Sequence, residues 1–417
     1  MLTESVAPPA VTEVLIVGGG PAGLAAAIAL RQRGIACVVV EARAAGIDKA
    51  CGEGLMPGAL ASLASLGVEI APADGHPFGG IRFQDSAHSV EARFPHGIGM
   101  GIAVRRPRLH QALADRAQTV GAHVLWSSRV QLPPAEPESS STPDSQPNPL
   151  RTALVNGQAL SFRWLVGADG YASSVSRWAG LDHVRKESLR YGFRTHFRIA
   201  PWSDFVEVHW SRAGQLYITP VAPDCVCVVY LTRDRKCDRA GLLADFPEAA
   251  ARLRCAATLS QQRGAVSATR RLTRVAGRWV ALVGDASGSA DSITGEGLAM
   301  SFRQALALAD AIASGSLSPY CRAHRRIGKL PHAMGALMLT LDLTLDRWPS
   351  LGTRALCALA ANPALFRDLL ALHMGISNPL QVALRRSPQF GWSLMTGRGL
   401  SVARSPAPAD SRVHRAC

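Results

Sequence analysis

The chain alternates two hydrophobic patterns. Residues 14–17 and 36–40 are short apolar runs without alternation, which read as strands buried on both faces. Between them lie a glycine turn at 18–23 and a helix over 22–33 that stops at Gly34. Strand, helix and strand in this order predict a parallel βαβ unit. Further helices are predicted over 60–66 and over 105–121, the latter with Leu109 and Leu113 on one face. Strands are predicted over 164–166 and 280–283, and a long helix over 298–313. Residues 76–100 and 191–232 read as strands. In the second stretch Arg194, His196 and Arg198 alternate with apolar residues, as do Glu207 and His209, which predicts a polar outer sheet face. Beyond 330 the tail is helical, with Met334, Leu337, Leu341, Leu345 and Trp348 on one stripe and a stop at Gly375 after a helix over 363–374. Residues 131–149 hold six prolines among serines and acids and are expected to be a disordered insertion.

Composition adds three constraints. The charge balance of 45 basic against 31 acidic residues gives +14 and points to anionic partners: a cofactor, an acidic protein or an anionic membrane surface. No basic run is interleaved with aromatics, so nucleic acid is not expected. The nine cysteines are irregularly spaced without a Cys-x-x-Cys pair, so neither a metal site nor a disulfide framework is expected. The first basic residue is Arg31, so no secretory signal is visible and a cytoplasmic protein is expected.

The most specific motif is Gly18-x-Gly20-x-x-Gly23, placed between a strand and a helix, with Glu41 ending the next strand. Gly18 makes the tight turn, Gly20 admits a pyrophosphate to the backbone and Gly23 lets helix and strand pack. The helix N-terminus supplies amide donors, and Glu41 accepts from an adenosine ribose. Together these predict dinucleotide binding.

Two later motifs follow in order: Gly167-Ala168-Asp169-Gly170 with Ser173, and Gly284-Asp285 followed by Gly295-Glu296-Gly297. With Arg106 in Arg-x-x-Leu-x-x-x-Leu, the sequence resembles FAD-dependent oxidoreductases of the para-hydroxybenzoate hydroxylase fold over roughly residues 12–330. That family includes aromatic monooxygenases, flavin halogenases and geranylgeranyl reductases. The resemblance implies an α/β architecture: a Rossmann-type FAD-binding domain (1–75, 101–185 and 270–330) interleaved with a β-rich substrate domain (76–100 and 186–269), plus a helical C-terminal cap (331–417). It also implies that Asp169 lies at the flavin, Asp285 holds its ribityl chain, Arg106 packs by the phosphates, and the helix opening near Gly297 points at the flavin ring. Lys49-Ala50-Cys51-Gly52-Glu53-Gly54 resembles the flavin-side segment of the geranylgeranyl reductases. Tyr217 and Pro220 match a reductase element whose Trp and Phe are missing here; the halogenase signature is absent.

Cys51, Tyr217 and His196 are the candidate catalytic residues. The expected activity is NAD(P)H-dependent hydroxylation of a lipophilic aromatic or polyketide-type substrate through a flavin C4a-hydroperoxide, with His196 or a neighbour as phenolic base. The alternative is reduction of isoprenoid or lipid double bonds. The Leu- and Arg-rich tail adds two expected partners, a membrane surface touched peripherally and an acidic electron-donor protein.

Overall fold

The structure, a computed structural model, describes residues 8–86, 88–134, 149–211, 214–235, 243–347, 349–377 and 382. Strand Val14–Val17 lies at the centre of a five-stranded parallel sheet, in the order Val280–Leu282, Trp164–Gly167, Val14–Val17, Cys37–Val40, His123–Leu125. Every residue of the central strand and of Cys37–Val40 is buried, so neither face needed a polar position. Helix Pro21–Arg31 leaves the central strand with proline in its first turn, where a missing amide costs nothing. It packs against helices Arg106–Thr119 and Gly297–Ala313.

The second layer is a nine-stranded sheet. Its order is Gly288–Ser289, Arg263–Leu272, Val184–Arg198, Cys225–Thr232, Gly214–Ala222, Phe205–Trp210, Gly80–Gln84, Ser89–Arg93, with Ala257–Thr258 pairing beside Val184–Arg198. Its longest strand begins seven residues before the meander expected from sequence. Residues 184–189 are rich in charge because this end of the strand is largely exposed, with Val184 at 40% and Leu189 at 43%. The polar outer face expected at 194–209 is corrected: Arg194, His196 and His209 are buried, and among these cations only Arg198 is exposed. Arg194 and His196 pair with Glu53, and His209 with Gln84 and Glu207, rather than facing water.

A small sheet of Gly54–Leu55, Gly101–Val104 and Gly75–Phe78 joins the two layers. It carries the loop containing Cys51 from the nucleotide-binding side towards the large sheet. Most of the proline-rich insertion, 135–148, lies outside the described residues.

Helices Ser318–Arg347, Pro349–Ala360 and Pro363–His373 follow. Leu356, Leu359, Phe366 and Leu370 pack on Phe83, Val90 and Trp210 and so cover one end of the large sheet. The expected stripe on the first of these helices is partly corrected. Met334 is buried but Leu337 is 51% exposed, because the inward face is turned towards Gly328, Gly335 and Asp342. The side chains of Leu341, Leu345 and Trp348 lie outside the described residues. Among the described residues no helix is long and apolar enough to cross a membrane.

Helix Ser318–Arg347 is tied to the turn after the last parallel strand. The Tyr320 hydroxyl donates to the Leu282 carbonyl at 2.5 Å, and His324 Nε2 lies 2.9 Å from Ser287 Oγ. Burial, helped by His332, pushes His324 down from 6.5 to about 4; burial, helped by Arg271, does the same to His332. Unfolded histidines take up protons below pH 6.5 that these folded ones refuse until about 4. Stability is therefore full above that upper limit and falls through the window as pH drops, by on the order of 3 kcal/mol for each histidine. Melting curves between pH 8 and 4 should show this decline, and His324→Gln should flatten it.

Candidate active site

The dinucleotide loop is built by three glycines with different jobs. Gly18 has φ +110°, and a Cβ there would meet the Ala168 carbonyl oxygen at 2.4 Å. At Gly23 a Cβ would lie 1.9 Å from the Gly18 oxygen. Both are close backbone approaches between strand, turn and helix. At Gly20 a Cβ would meet nothing within 4 Å. The open space therefore lies at the one glycine assigned to pyrophosphate approach, over the uncapped amides of helix Pro21–Arg31. Glu41 stands at the rim. Its Oε2 accepts from the Gly19 amide at 2.7 Å and its Oε1 from the Arg43 amide at 2.8 Å. Nearby, Arg106 Nε and His110 Nδ1 are buried without a hydrogen-bond partner. An orphaned guanidinium donor beside an open, amide-lined cradle fits an anionic dinucleotide.

The other cofactor candidates lie along the turns that follow the parallel strands. Gly284 (φ +64°) turns the chain after Val280–Leu282, where a Cβ would meet Ala22 at 2.6 Å. Asp285 follows and pairs with Lys49 at 2.8 Å. Burial pushes the Asp285 carboxyl up, but Lys49 and Arg106 outweigh it and hold the group below its usual range. Gly295 is left-handed at φ +66°, and Gly297 opens helix Gly297–Ala313 with no side-chain cap and open space at its Cα. That N-terminus is available to the electron-rich edge of a flavin. Asp169 is placed differently. Its Oδ1 accepts from Ser173 Oγ at 2.5 Å and its Oδ2 from the amides of Ser174 and Val175 and from Ser174 Oγ, so both oxygens serve helix Ser174–Trp178.

Cys51 sits half-buried on the loop before Gly54–Leu55. Its sulfur accepts from the Glu53 amide at 3.4 Å and lies 4.0 Å from Arg106 Nη1. Behind it, Glu53 is 2% exposed, with φ +61°. Glu53 Oε1 accepts from the Arg106 amide at 3.0 Å and from Arg194 Nη1 at 3.1 Å, and Oε2 lies 2.7 Å from His196 Nε2. His196 Nδ1 lies 2.9 Å from Ser260 Oγ. Arg194 also donates to both Asp48 oxygens at 2.8 Å, and Arg263 reaches Asp48 as well. Cys227 completes the cluster. Its ligand atom lies within 4.8 Å of those of Glu53 and His196. Burial, reinforced by Glu53, pushes the Cys227 thiol far up, so it is a neutral thiol.

The structure thus brings Cys51 and His196 to opposite sides of Glu53 and puts Tyr217 elsewhere. The Tyr217 hydroxyl is buried without a hydrogen-bond partner, beside the pair Arg190–Asp291. Gln215 links that pair to Asp342, which Arg233 also reaches. Glu53, Asp48, Asp291 and Asp342 were not read from the sequence. The one available signal was an acid between two glycines at 52–54, where a side chain in left-handed backbone needs a reason.

Gly20→Leu should leave the melting temperature of the cofactor-free protein unchanged while abolishing retention of a yellow cofactor; full retention would remove the pyrophosphate assignment. Glu53→Ala leaves His196 without its carboxylate and Arg194 with Asp48 alone, and should cost on the order of 3 kcal/mol in denaturant unfolding.

Comparison with known proteins agrees with this geometry. Residues 11–315 match the FAD binding domain family. Menaquinone reductase of Mycobacterium tuberculosis is 29% identical over 46% of this chain, and the match spans just under half of that relative's length. The chloroplastic geranylgeranyl diphosphate reductase of rice is 29% identical over 73% of this chain and 66% of its own. A flavoprotein/dehydrogenase from Cytophaga hutchinsonii superposes with a TM-score of 0.74 at 15% identity, covering 92% of this chain and 99% of that one. With a cradle whose open glycine, uncapped amides and orphaned arginine suit the cofactor, the chain belongs to the FAD binding domain family.

Proposed function

We propose that this protein reduces carbon–carbon double bonds of a lipophilic, isoprenoid-type substrate, with electrons from NAD(P)H. The observation that carries the reading is the set of hydrogen-bond partners around the Cys51 loop. A phenol hydroxylase needs a base with a free nitrogen. His196 has both ring nitrogens engaged, by Glu53 and Ser260, and the His209 ring lies against Gln84 and Glu207. Cys51 stands forward of this network, half-buried, with a guanidinium nitrogen 4.0 Å from its sulfur. FAD, when bound, supplies a hydride equivalent to one alkene carbon; the Cys51 thiol gives its proton to the other. Arg106 is placed to balance the thiolate left behind, which regains its proton from water once product leaves. The relatives named as reductases of menaquinone and geranylgeranyl diphosphate support an isoprenoid substrate.

Hydroxylation is the second reading. It is favoured by the Tyr217 hydroxyl, whose unused donor would suit the oxygen of a polar aromatic substrate.

One experiment separates them. The FAD-loaded protein is given NAD(P)H without oxygen, with geranylgeranyl diphosphate or a menaquinone as substrate. The expected product gains two hydrogens per reduced double bond. Cys51→Ala should keep its flavin and lose turnover by about 10²–10⁴-fold. Oxygen uptake coupled to addition of one oxygen atom to a phenolic substrate would establish the second reading, and full turnover by Cys51→Ala would remove the thiol from the chemistry.

A further inference from the structure

Helix Ser318–Arg347 is thirty residues long, about 45 Å at its usual rise. Its inward side is set by Gly328, Pro331, Met334, Gly335 and Asp342, all buried. The outward side begins with four exposed cations, Arg322, Arg325, Arg326 and Lys329, at the i, i+3, i+4, i+7 spacing of one helical face. None of the four has an ion-pair partner among the described residues, whereas Arg303 on the preceding helix is paired with Glu296. The same face continues past Pro331 with exposed Ala333, Ala336, Leu337 and Leu343. The two leucines are 51% and 54% exposed. The helix's described carboxylate, Asp342, points inward at 5% exposure.

We propose that this face is an interfacial binding surface for an anionic phospholipid bilayer, on which the helix lies in the plane of the headgroups. Charge selects the occupant's sign, and the leucines select its kind. An acidic soluble protein or a polyanion would neutralise the cations but leave Leu337 and Leu343 in water. A headgroup layer takes both, with cations at the phosphates and leucines at the acyl boundary. The buried side of the same helix contacts Ser287 through His324 and Gln215 through Asp342. A membrane on the outer face therefore lies one helix away from the flavin turn. The inference holds for either reaction, because it concerns where the protein sits.

The test is co-sedimentation of the full-length, FAD-loaded protein with vesicles of phosphatidylcholine alone or mixed with phosphatidylglycerol. Binding is expected only to the mixed vesicles, and high salt should weaken it. The variant R322E/R325E/R326E/K329E should lose affinity by about tenfold or more with flavin content and melting temperature unchanged. Leu337→Glu with Leu343→Glu should weaken binding with all four cations intact. Equal sedimentation with neutral vesicles, undiminished binding by the charge-reversed protein, or no binding at all would overturn the proposal. So would a charge-reversed protein that binds vesicles normally but no longer accepts electrons from an acidic carrier protein, since the face would then be that carrier's dock.

Discussion

Glu53 is an anion placed where water does not reach, and much of the centre is arranged to make that tolerable. A bare carboxylate at such a site would cost several kcal/mol. Its partners come from both halves of the molecule: Arg194 and His196 from the long strand of the large sheet, and the Arg106 amide from the helix that leads into the nucleotide layer. Its own backbone is left-handed, a conformation that costs an ordinary side chain on the order of 1 kcal/mol or more. The surrounding bonds must over-determine that geometry. The loop from Asp48 to Gly54 is thereby fixed at both ends, and the Cys51 sulfur is held by the amide of the same glutamate. The position of the thiol is thus set by charge balance two residues away.

A second buried ionic group repeats the device around Arg190. Arg190 is fully buried and spans Asp291 and Gln215, and Asp342 brings in the C-terminal helix. Burial raises the Asp342 carboxyl despite Arg233 and Arg190. Three elements distant in sequence, the long strand, the 285–297 turn and helix Ser318–Arg347, are thus held by one polar cluster. Such clusters specify one arrangement of packed layers more sharply than apolar contact does, since a shift by one residue leaves a charge unpaired.

The nucleotide layer was legible in the sequence because its rules are local. Buried parallel strands show as unbroken apolar runs, and Gly18, Gly20 and Gly23 each answer to backbone geometry within one turn. The distinction between them was also readable: two glycines forbid a side chain through packing, and one leaves room. Asp169 is equally local, and both its oxygens are taken by the helix that follows it. The large sheet was legible only as strands. Alternation of Arg194, His196 and Arg198 is what a wet face looks like in one dimension. Their acids, Asp48 and Glu53, lie more than 140 residues away, and no local pattern connects them. The same reasoning explains Leu337. Periodicity alone orients a helix towards its largest apolar residues, whereas this helix turns its glycines and an aspartate inward.

The order of the parallel sheet also governs how the molecule comes into being. The central strand, Val14–Val17, has neighbours at Cys37–Val40 and Trp164–Gly167, and the sheet is not finished until Val280–Leu282 joins. During synthesis the first βαβ unit emerges early, with an open edge that must wait while most of the large sheet is made. Closing such long loops is slow, and an apolar strand edge left waiting is a template for wrong partners. The nascent chain is therefore most vulnerable between the emergence of its first strand and of its last, and the nucleotide cradle is complete only near the end of that interval.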